Sequence, residues 1–279
     1  AGDVGSIDCI DYCFSYVSPA GFIILQIVSD LHLNCNPNIE LSEIIKPAGD
    51  ILLIAGDVGS IDCIDYCFSY VSKNFEHVFY VSGNHEYYGC KDMDEIDVQL
   101  QKICDKYTNI TFLNKKAKEY NGYVFIGTTL WANPKSDEMK HIDLGLKLRK
   151  IRINNKIINS EKLNEIFDSN LSWLEKKLVK YKNKKVIVIT HHLPSYQLIP
   201  KEFRKIYRMN SAFATDLEYL FKKPVKLWVC GHTHFSENIK INSIPMIINP
   251  FGFPKQRGIS GYNNSLTVKL KNEIILAKL

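Results

Sequence analysis

The chain has 279 residues, 46% hydrophobic and 23% charged, the make-up of a globular protein with enough apolar material for a sizeable core. Its formal charge of +5 is spread thinly, with Lys115, Lys116 and Lys118 in one cluster and Lys182, Lys184 and Lys185 in another. No aromatics interleave with these lysines, so an extended nucleic-acid groove is not indicated. No apolar run approaches the roughly 20 residues of a membrane span, so no membrane partner is expected. Nor does a cationic start lead into an apolar run and a small-residue cleavage site, so a secretory signal is not expected. Eight cysteines at 9, 13, 35, 63, 67, 90, 104 and 230 form no CxxC pair. Scattered cysteines in a long chain suit a reducing compartment, and a cytoplasmic location is expected.

Residues 1–18 repeat residues 55–72 at every position. Only the second copy follows a strand-like run, so the first cannot place its Gly2-Asp3 at a strand end. Residues 1–21 are therefore set aside as an artefact of cloning or numbering, and 22–279 are expected to form one domain. Ile23–Val28 reads as a buried strand, followed by a helical stretch near Glu40–Lys46. Ile51–Ala55 is a second strand, Ile61–Ser72 a helix, His77–Val81 a third strand and Asp92–Tyr107 an amphipathic helix. Ile110–Leu113 and Tyr123–Ile126 read as strands with Asn121-Gly122 as the turn between them. Residues 133–160 and 193–213 read as irregular insertions of the kind that form lids or binding loops. Between them lie a long helix, Ile166–Tyr181, and a strand, Val186–Thr190. The tail reads as strands at Val225–Val229, Ile239–Ile241, Ile244–Ile248, Leu266–Leu270 and Ile274–Leu276. Strands alternating with helices early and strands alone late predict an α/β protein with mixed sheets and helices outside.

Five short motifs occupy the same place, the loop after a buried strand: Asp30-Leu31-His32, Gly56-Asp57, Gly83-Asn84-His85-Glu86, His191-His192 and Gly231-His232-Thr233-His234. Strands in one sheet bring such loops together at their carboxyl ends. Imidazole, carboxylate and amide donors suit Mn, Fe, Zn, Co or Ni. No cysteine joins the set, which disfavours a structural zinc site. In Asp30-x-His32 and His232-x-His234 the one-residue spacing points both side chains the same way on extended backbone.

The order DxH, GD, GNHE, H, GHTH resembles the calcineurin-like metallophosphoesterase superfamily over roughly Ile23–Gly252. The resemblance implies a four-layer αββα sandwich with a two-metal site at the strand ends. It implies Asp30, His32 and His234 on one metal, Asn84, His191 and His232 on the other, and Asp57 bridging both. His85 would face the substrate. His191 and His192 compete for one place; in related runs the first histidine takes the metal, so His191 is the expected ligand and His192 a neighbour facing ligand or substrate. Purple acid phosphatases carry a tyrosine three residues after the GD aspartate; here Ser60 stands there, so a ferric-tyrosinate centre is not expected. The cofactors expected are two divalent ions, Mn, Fe or Zn. Gly127–Trp131 and Asn249–Phe253 resemble further segments of the superfamily without fixing a substrate.

The implied activity is hydrolysis of a phosphomonoester or phosphodiester by attack of a metal-bridging hydroxide, with His85 serving the leaving oxygen. The expected partner is a small phosphoester or nucleotide-like substrate. Candidates for gripping it are His192, His141, Arg149, Arg152, Tyr196 and Arg204, since arginine offers phosphate two donors, with Tyr87 or Tyr88 able to stack on a base. Two other readings are a non-catalytic scaffold, which would be expected to have lost ligands, and a nuclease, which would want a basic groove.

Overall fold

The computed structural model describes residues 21–204 and 209–271. In chain order the elements are β1 Phe22–Val28, α1 Leu41–Ile44, β2 Ile51–Ala55, α2 Ile61–Asn74, β3 His77–Val81, α3 Met93–Cys104, β4 Ile110–Phe112, β5 Lys116–Tyr120 and β6 Tyr123–Thr128. There follow α4 Met139–Arg149, β7 Arg152–Ile153, β8 Lys156–Ile157, α5 Ser160–Lys180, β9 Val186–Thr190, α6 Lys201–Arg204, β10 Val225–Cys230, β11 Glu237–Ile241, β12 Ile244–Ile248 and β13 Thr267–Lys271.

Two sheets form, ordered β13-β1-β2-β3-β4 and β11-β12-β10-β9-β6-β5. The inner strands of each are parallel, and β13, β11 and β5 join the edges antiparallel. Alternation along each strand decides what packs where. Leu25, Ile27, Leu53 and Phe79 of the first sheet meet Phe125, Ile187, Ile189 and Leu227 of the second in one buried cluster. Phe79 stacks on Phe125 across that interface, with ring centroids 4.0 Å apart. The opposite faces bind helices. Leu52, Ile54 and Val78 pack on Ile64, Phe68 and Val71 of α2 and Leu100 and Ile103 of α3. Val124, Val186 and Val188 pack on Phe167, Leu174 and Leu178 of α5. Helix, sheet, sheet, helix is the four-layer sandwich. The central strands are buried on both faces, which is why they read as largely apolar runs, with Gln26 of β1 an exception whose amide is satisfied by the Lys46 and Asn264 carbonyls.

Two expectations need correction. The Asn121-Gly122 turn joins β5 to β6, not β4 to β6, and β4 lies in the other sheet. Both turn residues have positive φ, 46° and 79°, as a two-residue hairpin of type I′ requires. β5 carries no apolar signature because Lys116, Lys118 and Glu119 give it the charged composition of a protected edge strand. The stretch 133–160 is not irregular; it holds α4 and the hairpin β7–β8, which turns on Asn154 and Asn155, both at positive φ. The strand expected at Ile274–Leu276 and the repeated segment 1–18 lie outside the described residues. No helix among the described residues is long and apolar enough to cross a membrane.

Candidate metal centre

The motif loops all leave the carboxyl ends of parallel strands: Asp30 and His32 after β1, Asp57 after β2, Asn84 and His85 after β3, His191 after β9, His232 and His234 after β10. To turn side chains inward so soon after a strand, the backbone goes left-handed. Asp30, His32, Asp57, His232 and His234 have φ of 53°, 44°, 56°, 74° and 56°. Each such residue costs roughly 1 kcal/mol or more against its relaxed conformation. Strain of this kind, gathered at one place, marks a site the surrounding fold holds open.

Two donor groups result. One ligand atom from each of Asp30, His32, Asp57 and His234 lies within 4.8 Å of the others, and so do those of Asp57, His191 and His232. Asp57 belongs to both. Its Oδ2 is buried, makes no hydrogen bond, and lies 3.4 Å from His191 Nε2 and 3.8 Å from His32 Nε2. His32 and His234 bring their Nε2 atoms to 2.9 Å, and His234 Nε2 is 3.4 Å from Asp30 Oδ1. His191 Nδ1 donates to the Ala55 carbonyl at 2.8 Å, while its Nε2 meets Asn84 Oδ1 at 2.9 Å. With both ring nitrogens facing acceptors, the imidazole favours its cationic form. Burial lowers the pKa of His191, but Asp57 first, then Asp30 and the Ala55 carbonyl, together outweigh it and push the group up to about 9. Asp30 and Asp57 themselves are fully buried and, despite burial, held below the ordinary carboxylate range by the histidines around them. Two buried carboxylates with imidazoles as their counter-charges fit divalent cations, which would take the place of the Nε2 proton.

His192 follows His191 but faces elsewhere. Its Nδ1 donates to the Thr129 carbonyl at 3.3 Å and its ring lies 5.6 Å from Trp131. His85 donates its backbone N–H to Asp57 Oδ1 at 2.8 Å. Its ring sits 4.2 Å from Tyr88 and 4.4 Å from His32, with Nε2 3.9 Å from Asp57 Oδ2. Burial holds its pKa below the usual value, against the pull of Asp57.

A second set of side chains aims the first. Glu86 is buried and accepts from the backbone N–H groups of Asp57, Val58 and Gly83 at 3.2, 2.7 and 2.8 Å, tying the β2 and β3 loops together. The sequence shows Glu86 inside its motif but nothing that assigns it this task. Gly83 leaves the needed room: a Cβ there would collide with Asp57 Oδ1. Asp30 accepts the His232 N–H, linking the β1 and β10 loops. Gln256 Oε1 accepts from His234 Nδ1 at 2.8 Å and so turns Nε2 to the centre; no sequence pattern marks it. Phe253 stacks on His32 at 4.3 Å. Glu86→Ala orphans three N–H donors at roughly 1–3 kcal/mol each. It is expected to cost at least about 3 kcal/mol in urea unfolding. Glu86→Gln, which keeps an acceptor oxygen, should lose less; equal losses would remove the donor argument.

A cavity of about 460 Å3 opens directly on the centre, with Asp57, Asn84, His85, His192, His232 and His234 among its lining. Arg149 lines it, held by Nε donation to Tyr88 Oη at 2.7 Å, and Tyr88 Oη also accepts from Asn84 Nδ2 at 2.5 Å. The other expected substrate contacts stand elsewhere. His141 is exposed on α4 and outside the lining. Arg152 donates to the Cys90 and Lys150 carbonyls, Arg204 donates to the Ile199 and Gln197 carbonyls, and Tyr196 lies beneath the Lys135 ammonium. Tyr87 is buried, its hydroxyl donating to Asp97, so it offers no face to a base.

An αββα sandwich with such a cluster at its strand ends defines the metallophosphoesterase class of fold. The calcineurin-like phosphoesterase family profile matches residues 26–236, and the chain belongs to that family. It is 30% identical over 263 residues to uncharacterized protein L509 of Acanthamoeba polyphaga mimivirus, covering 84% of this chain and 92% of that protein. Among solved structures it is similar to the phosphopantetheinyl hydrolase PptH from Mycobacterium tuberculosis, with TM-score 0.64, 16% identity and coverage of 88% of this chain and 95% of that one. It is also similar to TT1561 of Thermus thermophilus, with TM-score 0.56, 10% identity and coverage of 89% and 98%. At these identities the two structures speak for the fold alone. The family uses divalent metal ions, and the chain is a metallophosphoesterase.

Proposed function

We propose that the chain hydrolyses a small phosphoester with two divalent ions, one on Asp30, His32 and His234, the other on Asn84, His191 and His232, with Asp57 shared. The observation that carries this reading is Asp57: it alone belongs to both donor groups, and its buried Oδ2 has no hydrogen-bond partner. Divalent ions on these residues would supply a water acidified to near neutral pH and positive charge for the phosphoryl oxygens. The chain's own residues do the rest. Asn84 orients through Tyr88, His191 through Ala55 and His234 through Gln256. His85, beside the centre and open to the cavity, holds a proton at Nε2 for the phosphoryl or leaving oxygen. His192, walled by Trp131, borders the substrate. Six free cysteines among the described residues support a reducing, cytoplasmic setting.

The test is a panel of p-nitrophenyl phosphate, bis-p-nitrophenyl phosphate, cyclic nucleotides and single-stranded DNA, each with Mn, on chelator-stripped and reloaded protein. Turnover of a small ester that chelation abolishes and Mn restores is expected. Loading should also raise the melting temperature, because only the folded chain gathers the ligands. No turnover of any substrate would favour a scaffold, and turnover of DNA alone a nuclease.

A further inference from the structure

The cavity continues past the metal centre, and its walls there change character. Ile142, Gly145, Leu146 and Arg149 of α4 stand at i, i+3, i+4 and i+7, one face of the helix, and all four line it. Trp131 enters from the loop after β6, where Leu130 and Trp131 both adopt left-handed backbone, with φ of 67° and 63°. Phe203, Phe213 and Phe235 complete the wall and are each only half-buried. Phe203 packs on Phe235 and Phe213 on His232, and the apolar surface these rings still expose is unfavourable in water. A ligand that covers them recovers that cost. A volume of about 460 Å3 lies in the range of small-molecule sites.

Away from the metal motifs the polar lining is sparse: Tyr88, Arg149, Asn210 and Gln256. Tyr88 Oη accepts from both Asn84 and Arg149, which leaves its own proton to point toward a ligand oxygen. Arg149 is the one lysine or arginine among the described lining residues. A chain of phosphates along Trp131, Leu146 and Phe213 would lose its hydration without finding partners. An apolar group there loses nothing of the kind.

On the phosphohydrolase reading above, we propose that the ester's organic part is an uncharged, largely apolar alkyl or aryl group, seated against Trp131, Ile142, Leu146, Phe203, Phe213 and Phe235, with Tyr88 and Arg149 meeting the phosphoryl oxygens. The reaction is ordinary hydrolysis. The P–O bond to the apolar alcohol breaks, a P–O bond to water's oxygen forms, and a proton from that water ends on the alcohol.

The binding test is a series of n-alkylphosphonates from methyl to octyl, measured by calorimetry on the Mn-loaded protein. The turnover test is the matching n-alkyl phosphates and their methyl diesters, followed by product release. Each added methylene is expected to tighten Kd and raise kcat/KM by about twofold to fourfold, up to the factor its full burial supplies. Binding should grow more negative in heat-capacity change along the series. Leu146→Gln and Phe213→Ser, each checked by its melting curve, should flatten both slopes. Turnover with flat slopes, or tighter binding of nucleoside triphosphates than of octylphosphonate, overturns the apolar assignment and leaves the hydrolase reading intact. A steep binding slope with no turnover of any ester overturns the hydrolase reading, and the substrate assignment falls with it.

Discussion

Asp57→Ala is expected to empty both halves of the metal centre. Elemental analysis should fall from about two ions per chain to well below one. Turnover should drop by at least about a hundredfold to a thousandfold, the scale lost when one group that stabilises transition-state charge is removed. The size follows from position. Asp57 is buried, shared by both donor groups, and the main support for positive charge on His191. Without it burial is the leading influence on His191, and nothing joins the two groups. Asp57→Asn keeps an oxygen but not the charge and should fall between. Unchanged metal content in Asp57→Ala would sink the shared-ligand assignment.

His85→Ala should behave differently: ions retained, kcat lower by roughly 10²–10⁴, the range expected of a general acid or base. Its side chain is 21% exposed and lines the cavity, whereas those of His32 and His191 are wholly buried. The deficit should shrink for esters of acidic alcohols, whose leaving oxygens need no proton. Wild-type hydrolysis of an activated diester by the variant would not decide the matter alone. Wild-type hydrolysis of an unactivated one would remove His85 from the chemistry.

How much of this could be read from the chain alone depended on what each residue's neighbours reveal. β1, β2, β3 and β9 are legible because strands buried on both faces are mostly apolar, broken here only by Gln26, His77 and Thr190. The metal motifs were legible because each follows such a strand. β5 and α4 were not. β5 is an edge strand with a charged face. α4 buries Ile142 and Leu146 but exposes Leu144 and Leu148 by 58% and 70%, which blurs the helical period. The same blur hid which way α4 turns, so Arg149 and His141 looked equal candidates although one lines the cavity and the other faces water. Adjacent His191 and His192 posed a similar problem: consecutive residues leave a strand in different directions, and spacing cannot say which direction holds the metal. Gln256 and Glu86 act through atoms of distant loops, which no local pattern encodes.

The left-handed turns at Asp30, His32, Asp57, His232 and His234 set the stability of the fold against its site. Aspartate and histidine tolerate that backbone better than most residues, yet glycine tolerates it best. A lineage that had given up metal would fold more firmly for each of the five positions it let drift to glycine. Here each of the five instead sets a donor atom at the centre, so the fold gives up stability at these turns for the placement of ligands.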